Sequence, residues 1–211
     1  MAVLVLGACG GHKGTNGSNT PQVTVGADGP LAPGLLTQTQ LRQVPTLSSA
    51  TVSSLQQTTY FEDPDPRGPC GAKVPTVTLE NTVGIAVKAD AIRGAAELVS
   101  RLPAGEAKRY LDARMADAHE HCAEYQTTTH QGAAQRVLLV RIVRLHKEFE
   151  QALAVVMAIK IGQSVRADTV IEVRQGDVLA RTVVFSNRPL ANVAVRGIAS
   201  LMGRDLAAFA G

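Results

Sequence analysis

TVIEVRQGDVLARTVVF, residues 169–185, is the stretch that decides the fold. Two runs rich in Val, Ile and Thr, 169–174 and 178–185, flank Gln175-Gly176-Asp177. β-Branched runs on either side of a short Gly-Asp turn predict a β-hairpin. Upstream, Leu153, Val155, Met157, Ile159 and Ile161 share one face of another extended segment. Phe149-Glu150-Gln151-Ala152 could start a helix there, but the β-branched content favours a strand. Val137, Leu138, Leu139 and Val140, with Ile142, Val143 and Leu145, read as a central strand buried on both faces. Val77, Leu79, Val83, Ile85 and Val87 alternate as a further half-buried strand, with Asn81 interrupting the apolar face.

Helical periodicity fills the gaps. Residues 89–102 read as a helix that ends before Pro103, and 35–52 as one or two short helices. Ala107, Leu111, Met115, Ala118 and Cys122 recur at helical spacing, which puts Cys122 at the buried end of that helix. Ser186 or Asn187 is the expected cap of a C-terminal helix, with Pro189 near its start. Its expected core stripe is Leu190, Val193, Ala194, Gly197, Ile198 and Leu201. The expected fold class is therefore α+β: an antiparallel β-sheet (meander) with helices packed on one face and a C-terminal helix.

Composition bounds the function. The 211 residues suffice for one domain plus a tail. Aromatics are 3%, there is no Trp, and the net charge is only +3. Stacking platforms and the basic footprint of a nucleic-acid binder are both missing, so no nucleic-acid partner is expected. No run of 18 apolar residues is present to span a bilayer as a helix.

The N-terminus carries a location signal. MAVLVLGACGG (1–11) places Leu6-Gly7-Ala8 directly before Cys9, which resembles a bacterial lipobox. Small residues beside the cut fit a narrow peptidase site, and the Cys9 thiolate would take the diacylglycerol. Residues 1–9 then form a lipoprotein signal peptide, 10–34 a flexible Gly/Ser/Thr/Asn/Pro-rich tether, and 35–211 the folded body. The competing reading is a chance LGAC within a buried strand. No Lys or Arg precedes Cys9 and the apolar run is short, so the signal peptide is expected to begin upstream of Met1. With Cys9 lipidated, Cys70 and Cys122 remain as one possible disulfide, or else as two buried thiols. The bridge would close a loop worth about 4 kcal/mol in chain entropy. Asp63, Pro64, Asp65, Pro66 and Pro69 make a rigid turn ahead of Cys70.

No catalytic set is visible, so an enzyme is not expected, nor a cofactor. His119-Glu120-His121-Cys122 invites a metal reading, but on a helix His119 and His121 lie about 200° apart. No metal site is expected, and His130 and His146 read as surface residues. No G-x-S-x-G is present, and the Gly-rich segment 7–17 falls in the tether instead of between a strand and a helix. Asp112, Asp117 and Glu120 are expected to pair with Arg109 and Arg114 on a helix surface. Arg136, Arg141, Arg144, Lys147, Arg196 and Arg204 read either as a patch for anionic head groups or glycans, or as ordinary solubilising charge.

The order of these features carries a family likeness. Leu35-Leu36-Thr37, then Asp63-Pro64-Asp65 ahead of Cys70, then a helix running from Leu111-Asp112 to Cys122-Ala123, a meander and a last helix resembles the PknH-like extracellular sensor domain family. The likeness spans 35–209. It implies an antiparallel sheet whose helices form a cleft for an envelope ligand, on an extracytoplasmic domain of an actinobacterial receptor kinase or a stand-alone lipoprotein. A second disulfide of the kinase domain has no cysteines to form it here.

These readings combine into an expected lipid-anchored cell-envelope protein, on the extracytoplasmic face of the membrane, with a non-catalytic sensor-like domain. Its expected partners are the membrane, through the N-terminal lipid, and an envelope lipid or glycan ligand. The alternative is a structural or adaptor lipoprotein that binds a protein partner. A ligand cleft is expected to have apolar strand residues as its floor and Arg or Lys at its rim.

Overall fold

The decisive hairpin is present. β7 (Ser164–Gln175) and β8 (Val178–Ser186) pair antiparallel from Ala167↔Ser186 to Gln175↔Val178, joined by Gly176-Asp177. Gly176 has φ of 58°, the left-handed conformation that a two-residue turn demands and that glycine adopts without strain. The computed structural model describes residues 27–54, 67–76, 81–89, 93–118, 124–128, 134–145 and 149–209. The lipobox with Cys9, Cys122, the five histidines, Lys147 and Glu120 lie outside the described residues.

Eight described strands form one sheet. The others are β1 (Thr51–Ser54), β2 (Thr82–Lys88), β3 (Gly94–Arg101), β4 (Tyr125–Thr128), β5 (Ala134–Ile142) and β6 (Gln151–Ile161). Their order is β1-β2-β3-β8-β7-β6-β5-β4, antiparallel at every pairing. The chain leaves β3 in the middle, crosses to the far edge at β4, and returns as a meander to pair β8 with β3. The helix of that crossover, α2 (Glu106–Asp117), lies across β6 and β7. α1 (Gln38–Arg42) and α3 (Asn192–Leu206) are the other two α-helices described. The α+β class, the antiparallel meander and the C-terminal helix are as the sequence implies.

Strand alternation divides the core. Ala154, Val156, Ile171, Val173, Ala180, Val184 and Val99 point toward α3, whose Val195, Ile198, Met202 and Leu206 are fully buried on them. Leu41 and Leu47 join this cluster from the N-terminal segment. Each such side chain contributes roughly 1.5–3 kcal/mol of burial. Leu153, Val155 and Ile159 point the other way and meet Ala107, Tyr110 and Leu111 of α2. Helices thus cover both faces, α1 and α3 one and α2 the other, and not one face as expected, because both faces of the central strands are apolar.

Several expectations are corrected. Residues 94–101 are a strand, β3, not a helix: both faces are buried, so no alternation marks the sequence, and sheet pairing overrides the helical propensity of Ala-Ala-Glu-Leu. β5 is next to the edge strand, with a register shift between Val137 and Leu139 and with Leu138 37% exposed, so it is not buried on both faces. β7 begins at Ser164, after a second two-residue turn at Gly162, whose φ is also 58°. On α2 the buried stripe is Ala107, Tyr110, Leu111 and Arg114, and Met115 is 43% exposed. Residues 27–34, assigned to the tether, belong to the folded body: Leu31 and Gly34 are buried, and Gly34 lies against Phe209, Val99 and Leu206.

Candidate functional site

α3 positions the candidate site. Its N-cap is Ala191, with no side-chain cap from Ser186 or Asn187. Arg141 does the anchoring, binding the Asn192 side chain and, at 2.9 Å, the Leu190 carbonyl. The apolar stripe expected as core is rotated: Ile198 and Leu201 are buried, but Val193 is 78% exposed and Gly197 is exposed. Val195, Ala199, Met202 and Leu206 take the buried face instead. The outer side of the helix carries Asn192, Arg196, Ser200 and Arg204, with Val193 and Gly197 exposed beside them.

That outer side floors a groove of about 750 Å³. Gln40 donates to Asp205 at 2.9 Å, and Phe149 lies against Gly203. Those two helix positions are about 160° apart on the helical wheel, so the α1 segment and Phe149 flank α3 from two sides. Val44 and Pro45 form one wall and Phe149 the other, with Val193, Gly197 and Arg204 between them. A side chain at Gly203 would collide with the Phe149 ring, whereas Gly197 faces open space. Arg204 is the groove's charged lining residue, and its charge acts on the neighbouring Asp205 carboxyl. The expected ligand cleft had strand residues as its floor; this groove is floored by a helix.

Beneath α3 lies Glu97, fully buried mid-strand in β3. Its Oε2 accepts from the Leu36 N–H at 2.8 Å, and Thr182 Oγ1 lies 3.3 Å from its Oε1. Burial, reinforced by the nearby Asp205 charge and opposed by those two hydrogen bonds, lifts the carboxyl to about 8. Asp205, half-buried, is also raised, chiefly by desolvation.

Across the sheet, Glu172 is fully buried under α2. Arg114 Nε donates to its Oε2 at 2.6 Å and the Tyr110 hydroxyl to its Oε1 at 3.0 Å, while Arg181 stands 3.5 Å away. Burial alone would raise this carboxyl, but Arg114, Arg181 and the two hydrogen bonds outweigh it and hold it low. Arg114 also donates to the Arg67 carbonyl at 2.9 Å, tying the 67–76 loop to α2. In that loop the Cys70 N–H donates to Asp117 at 2.7 Å. Cys70, half-buried, is thus fixed beside the C-terminal end of α2.

The remaining sequence-marked charges have structural tasks. Asp117 binds backbone amides of the Cys70 loop, and Asp112 binds Lys108 and Gln151. Arg109 pairs with Glu106, and Arg136 with Glu124. Arg196 donates to the Arg144 carbonyl at 3.1 Å. Glu97 and Glu172 carry one signal in the sequence, a carboxylate in the middle of an apolar segment, a position where charge is rare unless paired. Among the described residues no group of three or more His, Cys, Asp or Glu could hold a metal, and no helix is long and apolar enough to cross a membrane.

Fold and groove define a class: an open antiparallel sheet clad by helices on both faces, with a mostly apolar groove along one helix. A solved structure of similar fold is the extracellular domain of PknH from Mycobacterium tuberculosis, with a TM-score of 0.56 at 10% identity, covering 84% of this chain and 94% of that one. No family model and no curated protein matches the chain.

Proposed function

We propose that this chain is a lipid-anchored cell-envelope protein of the PknH-like sensor type, whose body binds a ligand at the extracytoplasmic face. The likeness of fold to an extracellular domain, over 84% of the chain, is the observation that carries the reading. The lipobox-like Leu6-Gly7-Ala8-Cys9 supports the anchor, and the groove along α3 offers a binding site. Melting-temperature shifts across a screen of envelope lipids and glycans test it, since a ligand that binds only the native state stabilises in proportion to the logarithm of its concentration. A native pull-down that yields a protein partner, with no shift from any small ligand, replaces the sensor reading with the adaptor one.

Anchoring has its own test. With a full signal peptide restored, the chain is expected to incorporate labelled fatty acid and Cys9→Ala to incorporate none; equal labelling overturns the anchor.

A Cys70–Cys122 disulfide belongs to the same proposal. Cys70 is held against Asp117, and Cys122 follows five residues later in sequence, within reach of a bridge. Non-reducing peptide maps of exported protein are expected to show the two joined. Alkylation of both thiols without reductant removes the bridge.

A further inference from the structure

We propose that the groove along α3 takes the single acyl chain of an anionic amphiphile, with Arg204 at the head-group end. This rests on the ligand-binding reading above and names its ligand class. The lining is apolar along Val193, Gly197 and Leu201, between the Pro45 and Phe149 walls. From Val193 to Arg204 the helix rises about 16 Å, the length of an extended chain of roughly a dozen carbons. The volume of about 750 Å³ lies within the usual range of small-molecule sites.

Charge sets the head group. Arg204 is exposed and is the charged residue of the lining, whereas Asp205, on which its charge acts, stands outside the lining. Asp205 accepts two hydrogen bonds from Gln40, and Glu150 accepts from Arg174 and from the Gly176 N–H. An anionic head group in the groove therefore meets an exposed guanidinium suited to bidentate contact with phosphate or carboxylate, with no carboxylate in the lining to repel it. A glycan fits poorly, since Gln43 and Ser200 are the uncharged polar side chains in the lining. Walls on both sides suit one chain better than a flat bilayer surface.

Calorimetric titration with lysophosphatidylglycerol of fourteen carbons, below its micelle concentration, tests the proposal on the folded protein. Saturable binding is expected, with the matched lysophosphatidylcholine at least tenfold weaker and glycerol phosphate not binding. Gly197→Trp is expected to abolish binding by filling the groove; position 197 is exposed and faces open space, so the variant keeps the wild-type circular dichroism. Arg204→Gln is expected to bring lysophosphatidylglycerol down to the lysophosphatidylcholine affinity. Unchanged binding to Gly197→Trp, indifference to Arg204→Gln, or binding only to phosphatidylglycerol vesicles overturns the proposal. A glycan that stabilises the protein while lysophosphatidylglycerol does not bind refutes the amphiphile and leaves the sensor reading standing. Failure of the whole envelope screen together with lysophosphatidylglycerol refutes both.

Discussion

Replacing Glu97 by Gln is expected to stabilise the protein at pH 8.5, leave it nearly unchanged at pH 5, and flatten most of the pH dependence between. The carboxyl is fully buried and lifted from 4.5 to about 8. Because the folded-state value lies above the unfolded one, the folded state holds the proton more tightly across that window. Stability from this group is complete below about 4.5 and falls as pH rises through 8. At ~1.4 kcal/mol per pH unit the loss has an upper limit of about 5 kcal/mol, or roughly ten degrees or more in melting temperature. Asp168 and Asp205, also raised by burial, add contributions of the same sign. Glutamine keeps the shape and still accepts from the Leu36 N–H, without a charge to bury. Melting curves of both proteins from pH 5 to 8.5 decide it: parallel decline of Glu97→Gln and wild type would mean that Glu97 is not the titrating group. The same contact gives the effect a location. Glu97 fastens Leu36, and Asp205 fastens Gln40, so two carboxyls with raised values hold the 31–50 segment onto the sheet and α3. Protection of that segment's amides, relative to their intrinsic exchange at each pH, is expected to fall as the pH rises.

What the sequence made legible follows from where burial is one-sided. β2 and the β7–β8 hairpin declare themselves because alternation or a Gly-Asp turn marks them. The break at Asn81 is equally local: it sits before β2 with φ of 55°, a conformation that Asn tolerates better than most residues. β3 was illegible for the opposite reason. Between β2 and β8 both its faces are covered, and Gly-Ala-Ala-Glu-Leu-Val carries more helical than extended preference. α3 is legible as a helix but not in its rotation, because Ala194 and Gly197 extend the apolar arc to one side of the face that is buried. Sheet contacts selected Val195, Ala199, Met202 and Leu206, which left Val193 and Gly197 to the groove. Val193, Ala194 and Gly197 of the expected stripe thus belong to the candidate site, while Leu190 and Ile198 are buried as expected. Phe149 had no local signal at all, since it reaches Gly203 only through tertiary packing.

Breaking the buried pair under α2 is expected to destabilise the protein as much as any single change outside the apolar core. Arg114→Met strips Glu172 of its closest cation and leaves a fully buried carboxylate with Arg181 at 3.5 Å. Loss of one partner from a buried ion pair costs about 3–5 kcal/mol, because the survivor's desolvation is no longer offset. Glu172→Leu is expected to cost a similar amount by orphaning the Arg114 guanidinium and the Tyr110 hydroxyl. The double variant is expected to recover most of the loss, since two apolar side chains of comparable volume need no hydration replaced. Denaturant titration of all four proteins measures the coupling, and a double variant less stable than either single one would rule out a charge-pair origin. The acid limb supplies an independent check. Glu172 is held below its ordinary value, so its contribution is complete above about 4.5 and fades as pH falls further, opposite in sign to Glu97. Wild type should therefore lose stability below pH 4.5 and the double variant should lose less. One effect will not be recovered: Arg114 also holds the Arg67 carbonyl, so amide exchange in the Cys70 loop is expected to stay fast in the double variant even where global stability returns.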